Sequence, residues 1–216
     1  MNKFTSAKLK RIAESTVRRL SLYLSFLEGT ERQGLKTISS DELARLGGTT
    51  SAQVRKDLSL FGSFGKRGLG YSVPELSKKL REILGLGKEW RVVIIGAGKI
   101  GAALARYRGF AERGFIVTAV YDIDEAKVGK KWESLIVRDI SDLERDAAKE
   151  DFDIAVVATP AENTPAVVKQ VVRAGIKAIL NFAPIQVSVP ADVTVRTVNM
   201  AMELEGLSFA LANRGE

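Results

Sequence analysis

The sequence predicts an α/β chain in two parts, a small basic helical unit followed by a larger unit of alternating strands and helices. Three observations predict it. Residues 1–85 hold 16 Lys and Arg against 8 Asp and Glu, whereas residues 86–216 hold 17 against 18. Apolar residues recur at helical spacing in the first stretch and as short strand-sized runs between helical stretches in the second. Gly85-Leu86-Gly87 falls where the pattern changes and marks the joint. The expected division is 1–85, 86–198 and a last helical segment, 199–216.

In the first unit, Leu9, Ile12, Leu20, Tyr23, Leu24 and Leu27 fall near a helical period. They predict one amphipathic helix over 7–28, with Lys8, Lys10, Arg11, Arg18 and Arg19 crowding its first half. A second helix starts near Ser40, where Ser39 or Ser40 can cap the free amides, and Gly47-Gly48 stops it. Thr49, Thr50 or Ser51 caps a third helix that runs to about Leu60. Four glycines among residues 62–71 indicate tight turns and a hairpin. Pro74 suits the first turn of a short helix to about Leu84.

In the second unit, strands are expected at 91–95, 116–121, 154–158 and 177–181, with a weaker one at 193–198. Helices are expected at 99–112, 141–149 and 163–174. Alternation of this kind builds a parallel sheet with helices on both faces. A final helix over 200–213, apolar at Met200, Leu204, Leu207, Phe209 and Leu211, has no obvious place in that sheet.

Composition bounds the chemistry. Hydrophobic residues make up 45% and charged residues 27% of the 216, as in ordinary globular proteins. No apolar run approaches the roughly 20 residues of a membrane span. The N-terminus lacks the apolar core of a signal peptide, so the expected location is cytoplasmic. There is no cysteine and no histidine. Disulfides, thiol redox chemistry and cysteine-ligated metals are therefore excluded, and no metal is expected. The basic first unit suits a phosphate backbone or an anionic membrane surface; a merely solvated basic face is the plainer alternative.

Two motifs narrow the choice. Counting from Ser40, Ala44 is the fifth residue, Gly48 the ninth and Val54 the fifteenth. A small residue where helices cross, a glycine in the turn and a β-branched residue packing the second helix form the spacing of a helix-turn-helix. Its second helix carries Ser51, Gln53, Arg55 and Lys56 near the N-terminal end, where Arg can pair with guanine, Gln with adenine and Lys with phosphate. The glycine-rich hairpin with Lys66, Arg67 and Gly68 reads as a wing. These residues and Arg19 are the expected contacts with double-stranded operator DNA.

The second motif is Val92-Val93-Ile94-Ile95 running into Gly96-Ala97-Gly98-Lys99-Ile100-Gly101, a buried strand followed by G-x-G-x-x-G and a helix. Its glycines permit the tight turn, the approach of a pyrophosphate and close helix–strand packing, which is the Rossmann dinucleotide fingerprint. The next strand ends at Asp122, 21 residues past Gly101. An acid there can accept hydrogen bonds from the ribose hydroxyls and repels a 2′-phosphate, which favours NAD(H) over NADP(H). Lys127 works in the opposite direction. Histidine is absent, and no tyrosine is followed four residues later by lysine, so no catalytic residue is assigned and the cofactor is expected to act as a signal. The rival readings are a small NAD(P)-dependent oxidoreductase with a basic helical extension and a nucleotide-binding module that binds RNA.

Both halves together resemble the Rex family of bacterial redox-sensing transcriptional repressors. The resemblance is carried by Gln53-Val54-Arg55-Lys56-Asp57-Leu58, by residues 61–71, by the glycine motif at 96–101, by Tyr121-Asp122-Ile123-Asp124, by Lys127-Val128-Gly129 and by Leu180-Asn181-Phe182-Ala183-Pro184. It implies a winged helix-turn-helix domain followed by a Rossmann domain, a homodimer, and a C-terminal helix exchanged between subunits. It also implies operator binding by the free or NAD+-bound form and release by NADH. The expected cofactor contacts are residues Gly96, Ala97, Gly98, Lys99, Ile100, Gly101, Asp122, Ile123, Lys127, Thr159, Pro160 and Asn181. Tyr107, Phe182, Pro184 and the partner's Met200 are expected to form an apolar pocket around the nicotinamide, whose closure would move the recognition helices off their half-sites. The chain departs from the family at two places: Asn199 stands where many members have an aspartate, and Ser25 where some have an arginine able to pair with it. Both ends of a possible ion pair are neutral together.

Overall fold

The computed structural model describes residues 12–65 and 69–213. Its first helix, α1, spans Glu14–Arg32 and buries Leu20, Tyr23, Leu24 and Leu27, the helical stripe read from the sequence. It runs past the expected end because Gly29 is tolerated within it. Termination comes at Gln33, before Gly34 at a φ of 77°. Leu9, Lys8, Lys10, Arg11 and the expected helix start lie outside the described residues.

Strand β1 (Thr37–Ile38) leads to α2 (Ser40–Leu46), and a two-glycine turn leads to α3 (Ser51–Ser59). Strand β2 (Tyr71–Ser72) then feeds α4 (Val73–Ile83), which carries Pro74 in its first turn. The predicted hairpin takes a different form. Tyr71–Ser72 pairs antiparallel with Thr37–Ile38, not with the preceding glycine-rich segment. That segment still doubles back tightly, since a Cβ at Gly65 would lie 2.5 Å from the Gly70 carbonyl oxygen. Lys66, Arg67 and Gly68, at the expected tip, lie outside the described residues. One apolar cluster joins α1, α2, α3 and α4 through residues such as Tyr23, Leu43, Val54, Leu58, Val73 and Leu80.

The second unit opens with β3 (Trp90–Ile95), α5 (Lys99–Ala105) and α6 (Arg108–Glu112). The sequence predicts one helix over 99–112, but the helix breaks at Tyr107, whose ψ of 103° is extended. The Tyr107 ring lies over Gly109, where a Cβ would come within 2.7 Å of it, and meets Phe110 edge-on at 5.2 Å. Strand β4 (Phe115–Asp122) follows, then a short hairpin of β5 (Lys131–Trp132) and β6 (Leu135–Asp139) that the pattern did not announce. A 3-10 turn (Ile140–Asp142) and α7 (Leu143–Ala147) take the place of the helix expected at 141–149. Then come β7 (Ile154–Val157), α8 (Thr164–Arg173), β8 (Ala178–Asn181), β9 (Thr194–Thr197) and α9 (Met200–Ala212).

The sheet order is β5-β6-β4-β3-β7-β8-β9, parallel throughout except for the β5–β6 hairpin. Leaving out β5, this is the doubly wound order in which the chain leaves β3 in one direction and returns on its other side at β7. Alternate residues of β3 serve opposite faces: Val93 and Ile95 enter one apolar cluster, Val92 and Ile94 the other. The crevice between β3 and β7 therefore lies above the carboxyl ends of two strands buried on both sides. The chain divides into two units, Met1–Lys88 and Glu89–Glu216. Helix α9 stands apart within the second, with no buried residue and Met200, Met202, Leu204, Leu207, Phe209 and Leu211 each 58–71% exposed.

Candidate functional site

At the end of β3 the chain turns through Gly96, whose φ of 111° disfavours any side chain. A Cβ there would also sit 2.6 Å from the Ala158 carbonyl oxygen. Gly101 is equally constrained, since a Cβ would strike the Gly96 carbonyl oxygen. Gly98 differs from both: its backbone is extended and nothing lies within 4 Å of where its Cβ would be. Two glycines thus close the turn, while the middle one leaves open space in front of backbone.

That space belongs to a cavity of about 730 Å³ over the β3–β7 switch point. Gly96, Gly98, Lys99, Ile100, Asp122, Ile123, Lys127, Thr159, Pro160, Phe182 and Pro184 all line it, so eleven of the expected cofactor residues meet in one place. Ala97 and Gly101 support the turn without lining it. Asn181 is buried and acts on the loop that follows: its Nδ2 donates to the Ala183 and Ile185 carbonyls at 3.0 Å, and its Oδ1 accepts from the Ala183 N–H at 2.9 Å. It holds Phe182 and Pro184 in position without facing the cavity.

Asp122 is more deeply engaged than a simple ribose acceptor. It is 7% exposed. Oδ2 accepts from the Ala97 N–H at 2.8 Å and from Lys127 Nζ at 3.0 Å, while Oδ1 accepts from the Asp124 N–H at 2.9 Å. Burial pushes its pKa up, but the Asp124 amide, Lys127 and the Ala97 amide outweigh that and hold it below the usual carboxylate value. Lys127 also lies 3.5 Å from Asp124, so its charge is shared between two carboxylates.

Sequence reasoning missed Asn163 and Gln170, which bring polar groups to the same cavity from the start of α8 and its interior, along with Ile140, Ala161, Ala166 and Val167. The signal was available: at a switch point the second strand–helix crossover faces the first. Tyr107 is not brought to this cavity, whereas Met200 is expected from a second copy and is exposed in the single chain. Tyr107, 61% exposed, lines a second, largely apolar hollow of about 620 Å³ with Val92, Phe110, Phe115, Val156 and Leu180 among its walls. The single pocket expected around Tyr107, Phe182 and Pro184 is thus divided, because the break before α6 turns the Tyr107 ring toward Phe110.

In the first unit the helix-turn-helix is capped at both starts. Ser39 and Glu42 form a reciprocal capping box on α2, and Thr50 Oγ1 accepts from the Gln53 N–H at 3.2 Å on α3. Gly48 has a φ of 59°, as the turn requires, and Ala44 and Val54 are buried at the helix crossing. Arg55 and Lys56 are exposed on α3, with Arg55 Nη1 donating to Ser40 Oγ at 2.8 Å, and Ser51 is partly exposed. Gln53 and Arg19 are turned toward Asp57, a buried acid that the sequence reading left without a role.

A family model described as a putative DNA-binding protein N-terminus matches residues 11–59, and one described as a CoA binding domain matches 87–185. The redox-sensing transcriptional repressor Rex of Carboxydothermus hydrogenoformans is 46% identical over 199 residues, covering 92% of this chain and 96% of its own length. The chain belongs to the Rex family of redox-sensing transcriptional repressors. The Rex of Streptomyces coelicolor is 43% identical over 204 residues, covering 94% of this chain and 79% of its own. Among solved structures, that of RSP in complex with β-NAD+ and operator DNA matches with a TM-score of 0.88 at 39% identity, over 93% of this chain and 92% of that one. RSP in complex with β-NADH matches with a TM-score of 0.85 at 37% identity, over 93% and 94%.

Asn199 and Ser25, set apart by the resemblance, have plain roles in the fold. Asn199 caps α9, its Oδ1 accepting from the Ala201 N–H at 3.1 Å, a task that aspartate would do equally. Ser25 lies exposed on α1. Among the described residues no group of His, Cys, Asp or Glu is placed to hold a metal ion, and no helix is long and apolar enough to cross a membrane.

Proposed function

We propose that this chain is a transcriptional repressor that binds operator DNA and is released from it when NADH occupies the cavity at the β3–β7 switch point. The observation that carries the reading is Gly98. It is the one position of the glycine motif where a side chain is excluded neither by the fold nor by backbone strain, yet glycine is kept and the space in front of it opens into the cavity. A pyrophosphate laid on the Gly96–Lys99 backbone accounts for that, because only glycine lets phosphate oxygens reach the amides.

NAD(H), when bound, supplies a nicotinamide ring that is cationic and planar when oxidised and neutral and puckered when reduced. Gly98, Lys99 and Ile100 would hold the pyrophosphate. Asp122, Ile123 and Lys127 would receive the adenosine end. Phe182, Pro184, Thr159 and Pro160 offer the far wall, and no titrating group stands there to donate or remove a proton. The chain can discriminate the two redox forms only through contacts that differ between them, and its affinity for DNA shifts by no more than that difference. Arg55, Lys56 and Ser51 would meet the operator from α3, with Lys66, Arg67 and Gly68 as the wing.

Helix α9 supports a homodimer. Its apolar residues face solvent in the single chain, and burying side chains of this size is worth about 1.5–3 kcal/mol each. Exchange of α9 with a second copy would cover it and bring the partner's Met200 toward the nucleotide-binding unit. Such a repressor works in the cytoplasm.

The test is a gel shift on an operator duplex with NADH and with NAD+ in separate titrations. Loss of the shifted band with NADH and its survival with NAD+ are the expected results. Unchanged DNA affinity at saturating NADH would defeat the switch, and substrate-dependent NADH consumption without DNA affinity would turn the reading toward an oxidoreductase.

A further inference from the structure

Four donors converge on one buried carboxylate in the first unit. Asp57, on the solvent-shielded side of α3, is 1% exposed. Arg19 grips it with two hydrogen bonds, Nε to Oδ2 at 2.6 Å and Nη2 to Oδ1 at 2.8 Å. Tyr23 OH donates to Oδ2 at 3.1 Å and Gln53 Nε2 to Oδ1 at 2.7 Å. Arg19 Nη2 also reaches Thr16 Oγ1 at 3.1 Å. A buried carboxylate is tolerable only when paired and hydrogen-bonded, and this one has every acceptor position filled.

Two of the donors, Arg19 and Gln53, are residues expected to touch DNA, and the network limits what each can do there. Glutamine reads adenine through both atoms of its amide, the oxygen accepting and the nitrogen donating. With one N–H given to Asp57, the Gln53 amide keeps its oxygen and a second N–H, but its plane is fixed toward the carboxylate and it can turn to a base only by breaking that bond. Arg19 keeps a free Nη1, but its charge is cancelled by the carboxylate it grips. A recess of about 360 Å³, bounded by Arg19, Gln53, Lys56 and Asp57, leaves room for both side chains to swing outward if the carboxylate lets go.

We infer that Asp57 is a positioning residue for operator recognition: it locks Gln53 and Arg19 across the helix-turn-helix, keeps the Gln53 amide from reading a base, and holds down affinity for DNA of arbitrary sequence. This inference rests on the proposed DNA-binding function. It makes Asp57 a determinant of selectivity although it touches no nucleotide itself. Neutralising it returns one cation to the DNA-facing surface, so affinity should rise where most lost interactions lower it.

The experiment uses the full chain. Asp57→Asn is compared with the unsubstituted protein on an operator duplex and on a scrambled duplex of equal length, at several salt concentrations, with helical circular dichroism and a thermal melt as the control for folding of the first unit and NADH affinity as the control for the second. The expected result is about threefold to tenfold tighter binding to the scrambled duplex and a salt slope steeper by about one, as one released cation requires. The operator-to-scrambled ratio should fall about tenfold while NADH affinity stays unchanged. A second variant, Gln53→Met, keeps length and removes the amide, and is assayed against operators substituted one base pair at a time. It should weaken binding evenly, with no single position losing its preference. Unchanged scrambled-duplex affinity and salt slope in a folded Asp57→Asn protein would overturn the inference. So would loss of preference at a single base pair in Gln53→Met, and that result decides alone if Asp57→Asn does not fold. Failure of the unsubstituted protein to bind its operator would instead strike the proposed function itself.

Discussion

Replacing Gly98 with alanine separates folding from binding more cleanly than any other change in the glycine motif. The backbone at 98 has a φ of −97° and a ψ of −169°, which alanine adopts without strain, and no atom lies within 4 Å of the added methyl. Folding should therefore be unharmed, and the narrower unfolded ensemble should add about 0.4–1 kcal/mol of stability. The methyl projects into the cavity where the proposed function lays the pyrophosphate, and forcing such a group into a close contact costs about 1–3 kcal/mol. That corresponds to NADH affinity about 5- to 150-fold weaker. Gly101→Ala is the opposite case, because its methyl strikes the Gly96 carbonyl oxygen and stands 3.3 Å from Ile94 Cγ2 inside the fold. It should lower the melting temperature first and affect NADH only as a consequence. A thermal melt and an NADH fluorescence titration on both proteins make the comparison. If Gly98→Ala bound NADH as tightly as the unsubstituted protein, the pyrophosphate would not lie on this turn. If it melted lower, the open space in front of Gly98 would have been misread.

Arg55→Ala removes an exposed guanidinium held by Ser40 and should weaken operator binding by about 1–3 kcal/mol. NADH titration of the same protein should be unchanged. Asp57 and Asp122 both have pKa values lowered in the fold: burial raises each, but Arg19, Gln53 and Tyr23 outweigh it for Asp57, and the Asp124 amide, Lys127 and the Ala97 amide for Asp122. Their stabilisation is full above the unfolded value of about 3.9 and is lost as pH falls through the lowered folded values. Melting temperature should decline below about pH 4, and Asp57→Asn should flatten that acid limb; an unchanged limb would contradict the assignment. Lys127, shared between Asp122 at 3.0 Å and Asp124 at 3.5 Å, offers little free charge to a 2′-phosphate. Asp124→Asn should raise NADPH affinity relative to NADH by about tenfold, since a unit charge about 10 Å away at an effective dielectric of about 20 is worth about 1.7 kcal/mol. Equal ratios before and after, by competitive titration, would remove Lys127 from cofactor selection.

The sequence was most legible where one physical requirement fixes a residue type. The β3 run of Val92–Ile95 is apolar throughout because both faces of the strand are covered, and it announced a parallel sheet. Gly48, Ala44 and Val54 each answer a distinct demand of two crossing helices, so their spacing placed the recognition helix correctly. Legibility failed where tertiary contacts overrode local preference. Gly109 weakens the helix over 99–112, but nothing local announces that the Tyr107 ring will settle over it and break the helix at 107. The turn between β5 and β6 is led by Glu133 at a φ of 55°, a conformation normally signalled by glycine or asparagine, so the hairpin went unseen. Asp57 was hidden for another reason. Amid the charges of a basic helix an acid reads as a solvated face residue, and only burial shows that it gathers Arg19, Tyr23 and Gln53.

The neutral side chains at Asn199 and Ser25 bear on how a redox signal could be transmitted. A switch that breaks an ion pair draws its coupling energy from the desolvation and pairing of two charges, and leaving either alone and buried would be costly. In this chain the start of α9 is capped by a neutral amide that needs no partner, and α1 presents a hydroxyl to solvent. In the proposed repressor, differential affinity for the two redox forms would then come from the surfaces that touch the ring. The candidate surfaces are largely apolar: Phe182 and Pro184 in one hollow, and Tyr107, Phe110 and Phe115 in the other, where Glu112, Arg113 and Arg196 also stand. Apolar contact favours a neutral ring over a cationic one, which is the direction that the proposed switch needs. The Tyr107 break places one aromatic ring on a short segment between two helices, where a small change at the glycine turn ahead of α5 would be passed to the second hollow through seven residues of helix.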